Sequence, residues 1–568
     1  MSVPSNDNHI TKSDLIARFI AERKVPSVFL LSGGMIAFLA DAIYRLGETP
    51  IVNTRHEQSA GFAAEGATRI TNIPTIAMAT SGPGATNLIT SIASSFFDSI
   101  PTIFLTGQVN QTEIKKTSQQ RQNGFQELDI VEMVKHITKY SLRVDSKTDL
   151  YAELNKMWVI ATSGRPGPVL LDIPIDVQQE IVLFPNSYES QDELIESETV
   201  LPLLIETILT ELRKSSRPII LVGGGVRASG SSDIFRNLSL NWKIPVVHSL
   251  MAVDVLDSSS LFRVGMIGSY GNRWANQALA KSDLVIALGT RLDIRQTGHD
   301  LKAFVKNKRI IRVDVDNAEL NGRLTADVSF KVDLKKVISA LNETSLKHDF
   351  SEWNQTIRNL SDTQPQKSEQ PTEVEFNPDD IMKWISQISS RSAGYVVDVG
   401  QHQMWAAQSL NLGVNQRFIT SGGLGSMGFA LPAAIGASFT DKKEWTVITG
   451  DGCTQLSISE LQTIKHYNIP IKVCILNNNQ HGMVAQFQEN NLQNRFVGTR
   501  EDYSAPNFSE VSRAFGIEAI KLSSLKELYE STDYVLNWNS GPIILEFIIS
   551  NKAKALPKLS MDESIHDL

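Results

Sequence analysis

The stretch from Trp445 to Val484 constrains the fold more than any other part of the chain. Two short runs rich in β-branched residues, Trp445–Thr449 and Ile471–Leu476, flank a predicted helix, whose start carries the capping-box pair Ser457 and Glu460. A strand, a helix and a second strand in this order are typical of a parallel sheet, because parallel neighbours need a crossover connection. The stretch therefore predicts an α/β fold.

Polar residues follow both of these strands. Gly450-Asp451-Gly452 comes after the first and Asn477-Asn478-Asn479 after the second, so that Asp451 and Asn478 are 27 positions apart. In a parallel sheet this brings a carboxylate and several amides to the edge where α/β proteins bind ligands. Hard oxygen atoms beside glycines suit Mg²⁺ held between the protein and a diphosphate. Taken alone, the Gly-Asp-Gly triplet is equally explained as a turn.

The whole chain repeats this alternation of strands and helices. Its 568 residues are too many for one core, and we predict three doubly wound parallel-sheet domains at residues 1–185, 198–346 and 376–568. Two polar segments, Pro185–Thr199 and Lys347–Pro378, are the expected linkers.

Composition excludes several classes of protein. A net charge of −8 without a basic tract argues against a nucleic-acid partner, and no run approaches the roughly 20 apolar residues of a membrane span. The two cysteines, Cys453 and Cys474, offer no disulfide framework, and the polar N-terminus lacks an apolar signal core. We therefore expect a cytoplasmic protein.

Several motifs resemble those of a known enzyme family. The spacing from Gly-Asp-Gly to Asn-Asn resembles the cofactor motif of thiamine diphosphate (ThDP) enzymes. HEQSAGFAAEGATRI at 56–70 and ATSGPGATN at 79–87 resemble the pyrimidine-binding domain of the acetohydroxyacid (acetolactate) synthase family, and the resemblance covers nearly the whole chain. It implies that Glu57 shares a proton with the aminopyrimidine of ThDP and activates it. The alternative is a first-turn acid stabilised by the helix dipole.

The resemblance also assigns residues to ThDP and to Mg²⁺ in the third domain. The Mg²⁺ ligands would be Asp451, Asn478 and the backbone carbonyl of Gln480, and Met427 would support the bent cofactor. The positions implied to contact ThDP are Gly400, Gln401, His402, Gly425, Met427, Gly450, Gly452, Cys453, His481, Gly482 and Met483.

The middle domain resembles the FAD site of the same family. Glycine after a strand is ordinary, so Gly223-Gly224-Gly225 is weak evidence on its own. FAD has no net redox role in these synthases, so its presence would not make the chain an oxidase. The implied FAD residues are Arg165, Gly223, Gly224, Gly225, Gly289, Arg291, Asp293, Arg295, Asp314 and Val315.

The substrate segment also has counterparts in the family. Phe125 and Gln126 match the segment that closes over the bound keto acid, and Gln126 is the implied hydrogen-bond donor. Simple pyruvate decarboxylases use a His-His dipeptide to protonate their intermediate. The chain has no such pair among its 10 histidines, which favours transfer to a carbonyl acceptor.

Three departures from the biosynthetic synthases fall where the acceptor would bind. Ile175 replaces a Lys, Ile294 replaces an Asp and Phe487 replaces a Trp, while Arg295 remains. This profile resembles the ThDP flavoenzymes of branched-sugar (yersiniose) biosynthesis, which add a two-carbon unit from pyruvate to a CDP-keto-deoxysugar. We predict such an acceptor, with acetolactate synthesis from two pyruvates as the alternative.

Two further alternatives are a pyruvate oxidase and a non-catalytic cofactor-bound subunit. Intact Glu57, Asp451 and Asn478 argue against the second. The family pairs the residues matching Glu57 and Asp451 across two subunits, which implies at least a homodimer.

Overall fold

Three parallel six-stranded sheets organise the described part of the chain. The computed structural model describes residues 9–117, 119–184, 200–363 and 370–559, and the first expected linker, Pro185–Thr199, lies outside them. The predicted fold class, three doubly wound α/β domains, is confirmed.

The first sheet has helices on both faces. In spatial order its strands are Ile51–Asn53, Val28–Leu30, Ile76–Ala79, Ile103–Gln108, Val169–Pro174 and Tyr140–Arg143. Its helices are Lys12–Glu22, Ala37–Leu46, Glu57–Thr71, Pro83–Asn87, Ile89–Asp98, Ile130–Val134, Leu150–Thr162 and Ile175–Gln179, with 3₁₀ turns at Gly34–Ile36 and Gln111–Glu113. A small antiparallel pair joins His9–Thr11 to Ile181–Leu183.

The middle sheet has the strand order 3-2-1-4-5-6 when its strands are numbered along the chain, which is the order of dinucleotide-binding folds. In space the strands are Arg263–Met266, Val246–His248, Pro218–Val222, Leu284–Leu288, Arg309–Asp314 and Val328–Lys331. Its helices are Val200–Lys214, Gly224–Ala228, Ser232–Trp242, Arg273–Lys281, Ile294–Thr297, Leu301–Val305, Asn317–Leu320, Leu334–Asn342 and Ser351–Thr363, with a 3₁₀ turn at Leu250–Ala252.

The third sheet carries the stretch that constrained the prediction. In space its strands are Arg417–Thr420, Gly394–Val397, Trp445–Gly450, Ile471–Asn477, Ile543–Ile548 and Glu518–Leu522. Its helices are Pro378–Ile388, Gln401–Ser409, Ala430–Asp441, Asp451–Leu456, Glu460–His466, Gly482–Asn491, Phe508–Ala514 and Leu525–Leu536.

The first and third sheets share the strand order 2-1-3-4-6-5, a structural repeat that the sequence does not display. The two domains meet through helices Glu57–Thr71 and Ala430–Asp441. A Cβ atom on Gly66 would overlap the backbone of Ala433, and one on Gly436 would overlap the backbone of Ala63. Both positions are therefore limited to glycine by the close approach of the two helices.

The prediction of a linker at Lys347–Pro378 is wrong for the first half of that segment. Helix Ser351–Thr363 lies there and buries Trp353 and Ile357 against the middle-domain core. The indole N–H of Trp353 donates to the carbonyl of Pro218 at 3.0 Å. Few apolar residues are needed to fix this helix, so its sequence is as polar as that of a linker.

The predicted capping box is also wrong. Two helices, Asp451–Leu456 and Glu460–His466, replace the single predicted one, and Ser459 precedes the second without a side-chain cap. Glu460 instead accepts a hydrogen bond from the backbone N–H of Arg55 in the first domain, at 3.0 Å.

Both cysteines are buried and unpaired. Across the described ranges, none of the helices combines the length and the apolar character needed to cross a bilayer.

Candidate active site

The crevice of the third domain opens where its strand order reverses. Strands Gly394–Val397 and Trp445–Gly450 are parallel neighbours. The chain continues from the first to a strand on one side of this pair and from the second to a strand on the other side. Gln401 and Asp451 begin the helices that follow these two strands. Ligands of open α/β sheets bind at such a switch point.

A buried oxygen cluster lies at this point. Asp451 is buried, and its Oδ2 has no hydrogen-bond partner in the described structure. Burial raises the pKa of Asp451 to about 6. Asn478 donates from its Nδ2 to Gln401 Oε1 at 3.2 Å, which leaves its own Oδ1 as an acceptor. An unpaired buried carboxylate oxygen is costly unless a cation binds it.

Gln480 is predicted to add its backbone carbonyl to this cluster. Its amide donates to the carbonyl of Asn551 at 2.8 Å and accepts from Arg500 Nε at 2.6 Å, so both ends of the side chain are engaged. The described residues contain no group of three His, Cys, Asp or Glu side chains that could hold a metal ion. One carboxylate, one amide oxygen and one carbonyl oxygen fit Mg²⁺, which takes its other ligands from phosphate and water.

Glycines make room for His402 beside the cluster. A Cβ atom on Gly400 would lie 2.7 Å from His402 Cε1, and one on Gly450 would lie 3.0 Å from the same atom. His402 is buried, its Nε2 has no hydrogen-bond partner in the described structure, and burial lowers its pKa to about 3. The ring is therefore neutral at physiological pH and free to contact a phosphate oxygen.

A second set of side chains faces Gly452. A Cβ atom there would lie 3.3 Å from Met427 Cε and 2.8 Å from His481 Cε1. The His481 ring packs edge-on against Tyr503, with 4.5 Å between the ring centroids. Cys453 donates to the carbonyl of Val399 at 3.1 Å, and burial raises the pKa of its thiol, so this cysteine is structural and unreactive.

Glu57 occupies the first position of the helix Glu57–Thr71 and is 8% exposed. Asn87 donates from Nδ2 to Glu57 Oε2 at 2.9 Å. Gln126 has a positive φ of 64° and lies close to Gly82. A Cβ atom added to Gly82 would lie 2.9 Å from the Cβ atom of Gln126. Phe125 is 80% exposed, so within one chain it covers nothing.

Glu57 and the oxygen cluster belong to different domains. Glu57 makes its hydrogen bond within the first domain, and in the described ranges no hydrogen bond joins it to Asp451, Asn478 or Gln480.

A cavity of about 690 Å³ lies between the three domains. Gly223 does not line the cavity itself, but it packs against Gly289, which does. A Cβ atom on Gly223 would overlap the carbonyl of Gly289. Tyr270, also in the wall, donates from its hydroxyl to Met483 Sδ at 3.5 Å. The predicted residues that line the cavity are Arg165, Gly224, Gly225, Gly289, Arg291, Asp293, Arg295, Asp314, Val315, Gly400, Gly425, Met427 and Met483. The switch point of the middle sheet thus shares one cavity with the crevice of the third domain.

Comparison with known proteins agrees with this geometry. Three family models match: the N-terminal TPP binding domain of thiamine pyrophosphate enzymes over residues 10–133, the central domain over 205–341 and the C-terminal TPP binding domain over 398–547. The acetolactate synthase large subunit of Lactococcus lactis is 35% identical over 96% of this chain and 94% of its own length. The chain belongs to the thiamine pyrophosphate enzyme family. It is an acetolactate synthase-like enzyme that forms carbon–carbon bonds.

Two further relatives show similar coverage. The acetolactate synthase large subunit of Corynebacterium glutamicum is 34% identical over 98% of this chain and 90% of its own length. The chloroplastic acetolactate synthase of Arabidopsis thaliana is 35% identical over 98% of this chain and 84% of its own length.

The three predicted acceptor residues of this thiamine pyrophosphate enzyme come from three domains. Ile294 and Phe487 are 42% and 46% exposed, and each is close in sequence to a residue of the cavity wall, Arg295 and Met483. Ile175 begins helix Ile175–Gln179 in the first domain. None of the three predicted acceptor residues lines the cavity itself.

The sequence interpretation missed two residues of the site, Tyr503 and Asp398. Tyr503 packs on His481 and its hydroxyl also faces Asp451, yet its loop contains no motif. Asp398 accepts the backbone N–H groups of Val399, Gly428 and Ala430 at 2.9 to 3.0 Å and so fixes the loop that carries Met427. For Asp398, the signal available in the sequence was an acidic residue at the end of a predicted strand, two residues before Gly400.

Proposed function

We propose that the protein is a carboligase that uses ThDP and Mg²⁺ to decarboxylate pyruvate and to transfer the two-carbon unit to a ketone. The observation that carries this proposal is the buried Asp451 carboxylate, with one unpartnered oxygen, beside Asn478 at the switch point. A second pyruvate is the acceptor that the relatives' names favour, which would make the product acetolactate.

In this proposal the chain's own residues hold ThDP at both ends. Asp451, Asn478 and the carbonyl of Gln480 bind Mg²⁺, and Gly400, Gln401, His402, Gly450 and Gly452 surround the diphosphate. Gly425, Met427, Cys453, His481, Gly482 and Met483 form the thiazolium side. When bound, ThDP supplies a carbon nucleophile for the keto group and accepts the electron pair released as CO₂ leaves.

Glu57 is the proposed proton carrier. Asn87 fixes one of its oxygens, so the other can exchange a proton with the pyrimidine. Gln126 would donate to the oxygen of the reacting keto group, and Phe125 would cover it. Met427 and Met483 keep the reacting centre apolar, which limits access of water and protects the reactive carbon.

We assign the middle-domain part of the cavity to FAD. The middle sheet has the strand order 3-2-1-4-5-6 of dinucleotide-binding folds and carries glycines at its switch point. Asp314, at the end of strand Arg309–Asp314, adds an acidic residue to the same cavity. Arg165 already crosses from the first domain to Asp316 and Glu319 at 3.0 and 2.7 Å, and so closes one side of the cavity. Absorbance spectra and chromatography of the cofactors released on denaturation would test this assignment.

We further propose that the active unit is at least a homodimer. Glu57 and the oxygen cluster lie in different domains with no hydrogen bond between them in the described part of the chain, and Phe125 beside Gln126 is 80% exposed. A second chain would place its oxygen cluster opposite Glu57 and cover Phe125. Light scattering under assay conditions tests the oligomeric state, and an active monomer would contradict it.

The acceptor pocket favours a second candidate, a sugar-like ketone such as a CDP-keto-deoxysugar. Ile294 and Phe487 leave an apolar, roomy wall beside Arg295, where shape decides specificity more than paired charges do. Such a ketone would enter where the synthases hold a second pyruvate.

Product analysis separates these functions. The holoenzyme is given pyruvate alone, and then pyruvate with an excess of the ketone. Acetolactate alone across a panel of ketones supports the synthase function, and an acetyl adduct of the added ketone supports the sugar-ketone acceptor. Bleaching of the flavin by pyruvate without oxygen, at the rate of turnover, would instead indicate an oxidase.

A further inference from the structure

Asp98 of the first domain binds the third-domain loop that carries Met427. This loop, Ser421–Gly428, is called the Met427 loop below. Asp98 Oδ1 accepts the backbone N–H of Gly423 at 2.6 Å, and Asp98 Oδ2 accepts that of Gly422 at 3.1 Å. Hydrogen bonds to an ionised carboxylate are stronger than those between neutral groups. Both oxygens of Asp98 therefore hold the start of the Met427 loop.

An arginine holds Asp98 in turn. Asp98 is the last residue of helix Ile89–Asp98, where the helix dipole disfavours a negative charge. Arg69 donates from Nη2 to Asp98 Oδ2 at 2.6 Å and to Glu65 Oε1 at 2.5 Å. The side chain of Asp98 is 1% exposed, and a carboxylate buried to this extent is costly without partners. Its contacts to Arg69 and to the Met427 loop offset the unfavourable position in the helix.

The middle domain also contacts the start of the Met427 loop. A Cβ atom on Gly422 would lie 2.1 Å from Met251 Sδ, and one on Gly423 would lie 2.8 Å from Asp98 Oδ1. Neither glycine could be replaced without a shift of the loop or of its neighbours. The first and middle domains together therefore fix where this loop begins.

Asp398 fixes the other end of the Met427 loop. It accepts the backbone N–H of Gly428 at 3.0 Å, so that only residues 424–427 lie between the two carboxylate contacts. A segment this short cannot absorb a displacement at one end without moving Met427. Asp98 and Met427 also line the same cavity. A change at Asp98 should therefore reach the thiazolium side of the proposed site through Met427.

We propose that Asp98 is a positioning residue, which sets the place of Met427 against the cofactor through the backbone of Gly422 and Gly423. This inference rests on the proposed ThDP carboligation, in which Met427 supports the bent cofactor. Bending brings the pyrimidine amino group to the thiazolium C2 atom, so the rate of C2 proton exchange depends on the position of Met427. Binding of ThDP depends mainly on Mg²⁺ and on the diphosphate contacts.

Two readouts on the holoenzyme without pyruvate test the proposal. Hydrogen exchange followed by mass spectrometry measures the protection of the loop amides, and acid quench followed by NMR measures exchange of the C2 proton. Asp98→Asn keeps the shape of the side chain but removes its charge and replaces one acceptor oxygen by a donor. Glu65→Gln is the matched control, because Glu65 is a fully buried partner of the same Arg69 whose hydrogen bonds to Arg69 and Ser95 lie within the first domain.

We expect Asp98→Asn to speed exchange of the Gly422 and Gly423 amides about tenfold and to slow C2 proton exchange about tenfold, the usual effect of one charge-assisted hydrogen bond. Its dissociation constant for ThDP with Mg²⁺ should stay within about threefold of the wild type. Glu65→Gln should keep both exchange rates within about threefold of the wild type, even where its thermal unfolding midpoint falls as far as that of Asp98→Asn.

A double variant shows whether Asp98 acts through Met427. If it does, Asp98→Asn combined with Met427→Ala should exchange the C2 proton at the rate of Met427→Ala alone, because two changes that act through one group are not additive. Gly423→Ala disturbs the same contact from the side of the loop. It takes the place of Asp98→Asn should that variant fail to fold, and the same results are expected of it.

Three results would each overturn the role of Asp98. They are C2 proton exchange as fast in Asp98→Asn as in the wild type, equal slowing in Glu65→Gln, and a double variant slower than Met427→Ala by the full factor of Asp98→Asn. A wild type that exchanges the C2 proton rapidly but forms no carbon–carbon bond from pyruvate overturns the carboligase function alone.

Discussion

The carboxylate of Glu460 accepts hydrogen bonds from the backbone N–H of Arg55, at 3.0 Å from Oε1 and 3.3 Å from Oε2. Thr463 donates to the same carboxylate at 2.6 Å, and Glu460 is fully buried. Because Glu57 follows Arg55 by two residues, a helix of the third domain holds the segment that presents the proposed proton carrier of the first.

Glu460→Ala should therefore loosen the segment before Glu57. It leaves a buried N–H without its acceptor, which costs about 1.5–3 kcal/mol, and we expect kcat to fall roughly tenfold or more because Glu57 is displaced. Burial raises the pKa of Glu460, so Glu460→Gln resembles its protonated form and keeps one acceptor. Denaturation curves and steady-state rates of both variants check this. Equal rates in Glu460→Ala and the wild type would exclude the link.

Glu57→Gln should leave ThDP binding nearly intact and slow exchange of the thiazolium C2 proton by orders of magnitude. The amide keeps an oxygen for Asn87 but cannot carry the proton. Acid quench followed by NMR measures this exchange directly, and an unchanged exchange rate would remove Glu57 from the mechanism.

Asp451→Ala should abolish Mg²⁺-dependent ThDP binding. Among the described residues no neighbouring carboxylate can replace this ligand, since the other two donors are an amide and a carbonyl. Calorimetric titration of ThDP with and without Mg²⁺ reports the loss. Asp233→Ala in the middle domain, whose side chain is 87% exposed, serves as control. Tight ThDP retention by Asp451→Ala would show that Mg²⁺ binds elsewhere.

Phe487→Trp should shift the products toward acetolactate. The larger indole narrows the apolar wall and disfavours bulky ketones relative to a second pyruvate. The ratio of the acetyl adduct of the ketone to acetolactate, measured with pyruvate and a neutral cyclic ketone in excess, gives the answer. A ratio identical to that of the wild type would mean that Phe487 does not shape the acceptor pocket.

His248 should make the middle domain sensitive to acid. Burial lowers its pKa to about 3, with Arg263 adding repulsion and Asp254 opposing it. The unfolded chain binds a proton near pH 6.5 that the folded domain does not, so stability is full above about pH 6.5 and falls as the pH falls toward 3. At pH 5.5 the loss is about 1.4 kcal/mol.

His248→Gln should remove this loss. Hydrogen exchange of strand Val246–His248, followed by mass spectrometry at pH 7.5 and 5.5, isolates the effect from the other domains. Exchange corrected for its intrinsic pH dependence should be equally protected at both values in the variant. The same acid sensitivity in variant and wild type would assign it to another group.

The sequence predicted the three sheets because their central strands are continuous apolar runs. It missed Tyr140–Arg143, Arg263–Met266, Val328–Lys331 and Glu518–Leu522, which are all edge strands with half-exposed residues. Periodicity weakens where one side of a strand faces solvent, so local pattern could not identify them.

The residues of the candidate site also divide into those that the sequence pattern predicts and those that it misses. Asp451 and Asn478 could be predicted because they directly follow apolar strands, and such positions share one edge of a parallel sheet. Glu460 could not, because its partner Arg55 is 405 residues away in sequence. Tyr503 likewise reaches the site only through tertiary packing. The role of each site residue stays a prediction until the variants are measured.

The reciprocal contact of Gly66 with Ala433 and of Gly436 with Ala63 relates the two helices by a local two-fold axis. With the shared strand order, the chain has the geometry of two like domains joined as a tethered pair. Substitutions on the two sides of this contact should therefore have the same effect. Gly66→Ala and Gly436→Ala would each push the same two helices apart, and either one should misalign the two domains.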